Sequence, residues 1–231
     1  MLPPTITLDI ETIPGQAPGL REELAAAVKP PGTFKKAESI AAWFAENREA
    51  EAEQAWLATS LDGGLGQVCV IGYAVDDAPP VALAATDLSA ASERDLLMRF
   101  FSTAPITVGG KWVGHNILGF DLRFLWHRAM VHGVQPPFPF PHPERKATYD
   151  GTVADTMTMW AGYNGRISLD RLCRILGLPG KGGMDGSKVW PMVRDGRMAE
   201  VAAYCAADVQ RHRAVYRRMT FASAAPTGAA P

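Results

Sequence analysis

Cysteine is scarce: Cys69, Cys173 and Cys205 are the three in 231 residues, and they stand far apart with no C-x-x-C pair. That spacing makes neither a disulfide framework nor a zinc site, and a reducing cytosol is the default. Long hydrophobic runs are missing as well, since nothing approaches the ~20 apolar residues a membrane span needs. The opening MLPPTITLDIET has no basic n-region and no apolar h-region of a targeting signal. The expectation is a cytoplasmic protein with no membrane partner. An excess of positive charge is also lacking, because 23 Lys and Arg stand against 24 Asp and Glu. The usual basic signature of a nucleic-acid binder is therefore absent. It does not exclude one: carboxylates that hold divalent cations carry negative charge which the cations offset. What remains is ordinary globular usage, 47% hydrophobic and 20% charged. The chain is long enough to bury a core without staples.

Thr5 to Ile10 (TITLDI) alternates β-branched and apolar residues and predicts a strand. Gln67 to Val75 and Val81 to Ala85 predict two more, divided by the turn signal DDAPP. Lys111 to Gly114 reads as the end of a fourth strand, and Thr152 to Thr156 as a short last one leading into a helical turn. A short helix is expected over Glu93 to Phe101. A second covers Leu118 to Val131, with Leu118, Leu122, Leu125, Trp126 and Ala129 on one face. Ser168 is a plausible N-cap for a third, through Leu169, Leu172, Ile175 and Leu176 to a stop at Gly177 and Pro179. The longest runs from about Met198 to Met219, with a stripe of Val201, Cys205, Val209, His212 and Tyr216.

Residues 134–147 are too rich in proline for the interior of a helix or strand, and 181–186 form a glycine-rich loop. The tail from residue 221 (FASAAPTGAAP) is expected to be disordered. Strands gather in the first half and helices in the second, which suits an α/β fold with a mixed sheet packed by helices. One domain is expected over residues 1–220. Residues 14–66 lie between the first two strands, where a hairpin would use only ~2–5 residues. They form an insertion, Pro/Gly-rich at its start and helical around 37–58.

Asp9 and Glu11 sit at i and i+2 on the first strand, so both point to one face of the sheet. Two acids together are costly in a core unless cations hold them. The plain alternative is that the strand is ending and both acids are solvated. Gly114-His115-Asn116 follows the fourth strand, and Phe120-Asp121-Leu122 opens a helix. Taken alone, Asp121 is equally a first-turn acid favoured by the helix dipole, worth ~0.3–1 kcal/mol. Tyr204 and Asp208 are four residues apart on the last helix and share a face. A lone Y-x-x-x-D is better read as a surface pair.

Order and context carry more than any one of these. The segments LDIET, GHNILGFDLRFL, KGGMDGSKVW and AAYCAADVQ, with a less specific KKAESI, resemble the tyrosine-containing branch of the DEDD 3′-to-5′ exonucleases. The similarity is closest to the exonucleases related to the proofreading domain of family B DNA polymerases. The resemblance implies a ribonuclease H-like mixed sheet. It implies Asp9, Glu11, Asp121 and Asp208 as ligands of two divalent cations, Mg²⁺ or Mn²⁺, and Tyr204 as the residue that orients the attacking water. It assigns no role to Lys181, Asp185 or Ser187.

Hard cations suit an all-oxygen donor set without a His or Cys cluster. The implied substrate is nucleic acid with a free 3′ end, single-stranded DNA before RNA, in replication or repair. Ile10, Thr12, His115, Asn116 and Phe120 are the candidates for gripping the terminal nucleotide, with core packing an equal reading, above all for Phe120. In the insertion, Lys29, Lys35, Lys36, Trp43 and Trp56 suit contact with a strand, though docking of the helix onto the domain explains the tryptophans better. An exoribonuclease and a non-catalytic DNA-binding polymerase accessory module are the competing functions. A resolvase-type endonuclease is disfavoured by Tyr204.

Overall fold

The computed structural model describes residues 3–142, 151–180, 182–183 and 185–222. Part of the proline-rich loop, Lys181 and Met184 of the glycine-rich loop, and most of the tail lie outside them. A five-stranded mixed sheet organises the rest, in the order β3-β2-β1-β4-β5. Its strands are β1 (Thr5–Ile13), β2 (Gln67–Val75), β3 (Val81–Ala84), β4 (Lys111–Gly114) and β5 (Val153–Asp155). The first three are antiparallel neighbours, while β4 and β5 run parallel to β1.

The central strand, β1, runs three residues beyond the expected end at Ile10, because β2 pairs with it as far as Ile13↔Gln67. The register shifts between Glu11 and Thr12, where Glu11 faces Val70 and Thr12 faces Val68. Such a bulge leaves one extra residue on β2, so Cys69 and Val70 both reach the same core.

Alternation along β1 sends Ile6, Leu8 and Ile10 to one face of the sheet and Asp9, Glu11 and Ile13 to the other. The first face is covered by α3 (Ala90–Phe101) and α5 (Asp121–His132), with α4 (Ala104–Val108) beside them. Trp112, Phe100, Leu96, Leu122 and Leu125 fill it and are fully buried. Each such side chain contributes about 1.5–3 kcal/mol of transfer free energy. On the second face lie α8 (Val189–Arg194) and the long α9 (Met198–Met219). The short α6 (Thr156–Ala161) follows β5, and α7 (Leu169–Ile175) packs on the C-terminal half of α9. Ser168 caps α7 as expected, its Oγ accepting from the Arg171 N–H.

The insertion holds α1 (Leu20–Ala27) and α2 (Ala37–Ala58), which pack against each other. Only the root of α2 is buried. Trp56 donates from Nε1 to the Gly15 carbonyl (2.8 Å), meets Trp190 edge-on and lies under the Arg21 guanidinium. The docking role of Trp56 is thereby explained. Trp43 stays half-buried against Phe44, and Lys29, Lys35 and Lys36 are exposed.

Candidate active site

Pairing between β1 and β4 stops at Thr7↔Val113, so β1 continues alone along that edge. The backbone group this exposes is taken by Asp121, whose Oδ1 accepts from the Ile10 N–H at 3.1 Å. Asp121 is the first residue of α5. It arrives there because Asn116, in the left-handed region at φ 61°, turns the chain sharply after β4. The helix therefore starts at Asp121 and not at Leu118. One carboxylate from each of two elements is thus joined at the open end of the central strand, the region where open α/β sheets place their ligand sites.

The other half of the site comes from α9. Gly72 stands directly opposite Asp9 in the β1–β2 ladder. A Cβ there would lie 2.7 Å from Cys205 Sγ and 3.1 Å from Val209 Cγ2. Its absence lets α9 settle on the strand over Asp9. The buried stripe of α9 consequently includes Tyr204 and Asp208 along with Val201, Cys205, Val209, His212 and Val215. A surface pair is ruled out for Tyr204 and Asp208, and Tyr216 yields its expected place in the stripe to Val215.

Asp9, Glu11 and Cys205 have ligand atoms within 4.8 Å of one another. The Cys205 thiol donates to the Asp9 backbone oxygen and carboxylate at 3.5 and 3.4 Å. His212 donates from Nδ1 to the Leu8 carbonyl (3.1 Å), and its Nε2 lies 3.7 Å from Asp9 Oδ1. Asp208 accepts a 2.7 Å hydrogen bond from Arg211, whose Nε also reaches the Gly180 carbonyl.

Burial, and then the charge of Asp9, hold the Asp121 carboxyl well above the usual range, although the Ile10 N–H pulls the other way. The Tyr204 phenol is pushed far up by burial, then by Asp208, Glu11 and Asp9, and by donating its own hydrogen bond to Asp208. It stays protonated at neutral pH. Cys205 is raised in the same way by burial and then Asp9, in keeping with a thiol that donates to the Asp9 carboxylate. Carboxylates that raise one another's cost of ionisation in this way form a donor set that fits hard divalent cations.

Of the five residues singled out for chemistry, Asp9 and Glu11 bring ligand atoms together, Asp121 joins them at the Ile10 N–H beside the charge of Asp9, and Tyr204 lies within the fields of Asp208, Glu11 and Asp9. The five singled out for gripping a nucleotide divide. The Ile10 side chain points into the opposite core, and only its backbone faces Asp121. Thr12 donates to the Ser60 carbonyl (2.7 Å) and ties the turn at Thr59–Leu61 to β1. Phe120 leans on the core, its ring 5.5 Å from Phe124. His115 is held at both ring nitrogens, by Thr156 Oγ1 (3.0 Å) and the Ile167 carbonyl (2.8 Å).

Asn116 donates its N–H to Asp155, a residue that sequence reasoning passed over. Asp155 is buried at the end of β5 and accepts from the N–H groups of Asn116, Leu118, Met157 and Thr158. It is a scaffold carboxylate that fixes the turn carrying the site. Its signal was an acid before a helix start, D-T-M-T, the pattern of an N-cap.

A protein family described as predicted 3′-5′ exonuclease related to the exonuclease domain of PolB matches residues 61–228. That span holds Asp121, Tyr204 and Asp208 and begins after Asp9 and Glu11. No curated protein matches. Among solved structures, the chain is similar to the family B DNA polymerase of the hyperthermophilic archaeon Pyrobaculum calidifontis, with a TM-score of 0.56 and 15% identity. The likeness covers 95% of this chain and 25% of that polymerase. At that identity it is a likeness of fold, the ribonuclease H-like mixed sheet packed by helices.

Proposed function

We propose, on the premise that this chain belongs to the family of predicted 3′-5′ exonucleases related to the exonuclease domain of PolB, that it removes nucleoside monophosphates from the 3′ end of single-stranded DNA, as a proofreading or repair activity. The observation that supports this most is the convergence at the free end of β1 of Asp9 with Glu11, of Asp121 through the Ile10 N–H, and of Tyr204 with Asp208.

Asp9, Glu11, Asp121 and Asp208 are the residues that would hold two Mg²⁺ or Mn²⁺ ions. Bound there, such ions would lower the pKa of a water and stabilise charge on the leaving 3′-oxygen. The remaining work falls to the chain. Cys205 holds Asp9 from the α9 side, with His212 Nε2 3.7 Å from the same carboxylate, and Asp121 is fixed by the Ile10 N–H. Tyr204, protonated and tied to Asp208, positions the attacking water and does not abstract its proton. Arg211 neutralises part of the Asp208 charge.

The test uses 5′-labelled single-stranded DNA, duplex and RNA with Mg²⁺ or Mn²⁺. A regular ladder shortening from the 3′ end, fastest on single-stranded DNA, is expected. Discrete internal cuts would refute an exonuclease, and a ladder on RNA alone would replace the substrate.

A further inference from the structure

Arg211, Arg213, Arg217 and Arg218 follow Asp208 on α9, and such a run in a sequence reads first as a solvated face. Their setting in the fold is different. All four line a groove of about 910 Å³ between α9 and Leu178-Pro179, and among the described residues no acidic side chain lines it. The protein holds each guanidinium in place. Arg211 is held by Asp208 and the Gly180 carbonyl, Arg213 by the carbonyls of Asp76 and Ala78, Arg217 by the Asp77 carboxylate, and Arg218 by the Leu176 carbonyl.

A guanidinium has five N–H donors, and these bonds to described residues use at most two of them in each case. Partial burial, and then the neighbouring Arg217, push Arg213 below its ordinary value, against the pull of Asp77. At the far end of the groove stands Phe221, 94% exposed. Along the helix axis it is about 20 Å from Asp208.

We propose that this groove binds single-stranded DNA on the 5′ side of the reacting nucleotide, with the arginines on successive phosphates and Phe221 under a base. The proposal rests on the exonuclease reading, because Arg211 is what connects the groove to Asp208. Arginine forks match phosphate oxygens, and a charged groove ending in an aromatic ring is how single strands are held without regard to sequence. In a chain whose net charge is −1, Arg213 and Arg218, bonded here to carbonyls, add positive field along the groove beside Arg211 and Arg217, which carboxylates partly match.

The experiment measures binding of a fluorescein-labelled oligo(dT) to the full chain by anisotropy, in EDTA and across a salt series. For single strands the slope of log affinity against log salt falls by about 0.7 for each phosphate that is no longer neutralised. Arg217→Ala with Arg218→Ala should therefore flatten it by about 1.4. Arg218→Ala alone, at an exposed site bonded to one carbonyl, should flatten it by about 0.7 without disturbing the fold. Phe221→Ala should weaken binding about fivefold or more with the slope unchanged.

Slopes and affinities equal to wild type in these variants overturn the proposal, and so does equal competition by a poly-glutamate peptide. Binding is read without divalent cation, so the two readings separate. A protein that binds with these slopes but cuts nothing keeps the groove and loses the exonuclease. One that degrades DNA while its variants bind like wild type does the reverse.

Discussion

Two sets of buried charged side chains lie on opposite faces of the sheet, and they are built in opposite ways. On the α3/α5 side, Glu93 is fully buried and accepts both arms of Arg128 at 2.8 and 2.7 Å, His132 at 2.7 Å, and the Val68 N–H at 2.8 Å. Arg128 gives a further donor to the Gly63 carbonyl. Every charge there meets its opposite, and the cluster locks the end of the insertion to the body. On the α9 side Arg211 matches Asp208, and the other acids face one another. Asp9 raises Asp121, while Asp208, Glu11 and Asp9 all raise Tyr204. A buried group that is matched from within serves the fold. Carboxylates arranged to oppose one another serve a ligand that arrives later, and the strain of bringing them together is tolerated for that reason.

The sharpest way to break this contrast is to exchange function against stability. Asp9→Asn should lower turnover by about 10³-fold or more, while the unfolding free energy without metal stays the same or rises, because a repelling charge is gone. Arg128→Met should do the opposite. It strands a buried carboxylate and should cost about 3–5 kcal/mol of stability, read by urea denaturation, with the residual folded protein still cutting. Loss of activity in both, in proportion to unfolding, would erase the distinction.

A smaller effect is expected from metal and pH together. The folded pKa of Asp121 is raised, so its favourable contribution is complete below the unfolded value of about 3.9. It is lost as pH rises through the folded value. In EDTA, stability from this group should therefore decline as pH climbs above about 4. Mn²⁺ at a hundred times its dissociation constant should add about 2.7 kcal/mol, measured as thermal midpoint against pH. Midpoints that ignore Mn²⁺ at every pH would remove the cation from the account.

The smallest expected change is that of Tyr204→Phe. A positioning hydroxyl that never ionises should cost turnover about tenfold, with Mn²⁺ affinity preserved. A loss as large as that of Asp9→Asn would make the phenol an acid or base after all.

The regular parts of the fold were legible because periodicity is local. The limits of β2, β4 and α9 are those expected from the pattern of apolar residues, and Ser168 caps its helix. Less legible were the stretches where polar residues interrupt that pattern. The acids of DIET hid the last third of β1, which its partner strand alone makes extended. The pair α1/α2 showed only its longer member, since short helices without a strong stripe depend on tertiary packing.

Among the site residues, Asp9 and Glu11 were readable as a same-face pair from strand alternation, and Tyr204 and Asp208 as neighbours from helix spacing. Both are facts of covalent geometry and need no fold. The chain by itself thus determined which side chains travel together, and through its motifs what they resemble. Their meeting was decided by the tertiary structure. The early end of β4 leaves an N–H of β1 for Asp121, and the missing side chain at Gly72 lets α9 come down over Asp9. Those hydrogen bonds and packed surfaces join residues 111 and 196 positions apart, a separation across which no local pattern carries information. The same holds for the arginines of α9, which are a run of charge in the sequence and become a groove only where Leu178 and Pro179 pack beside them.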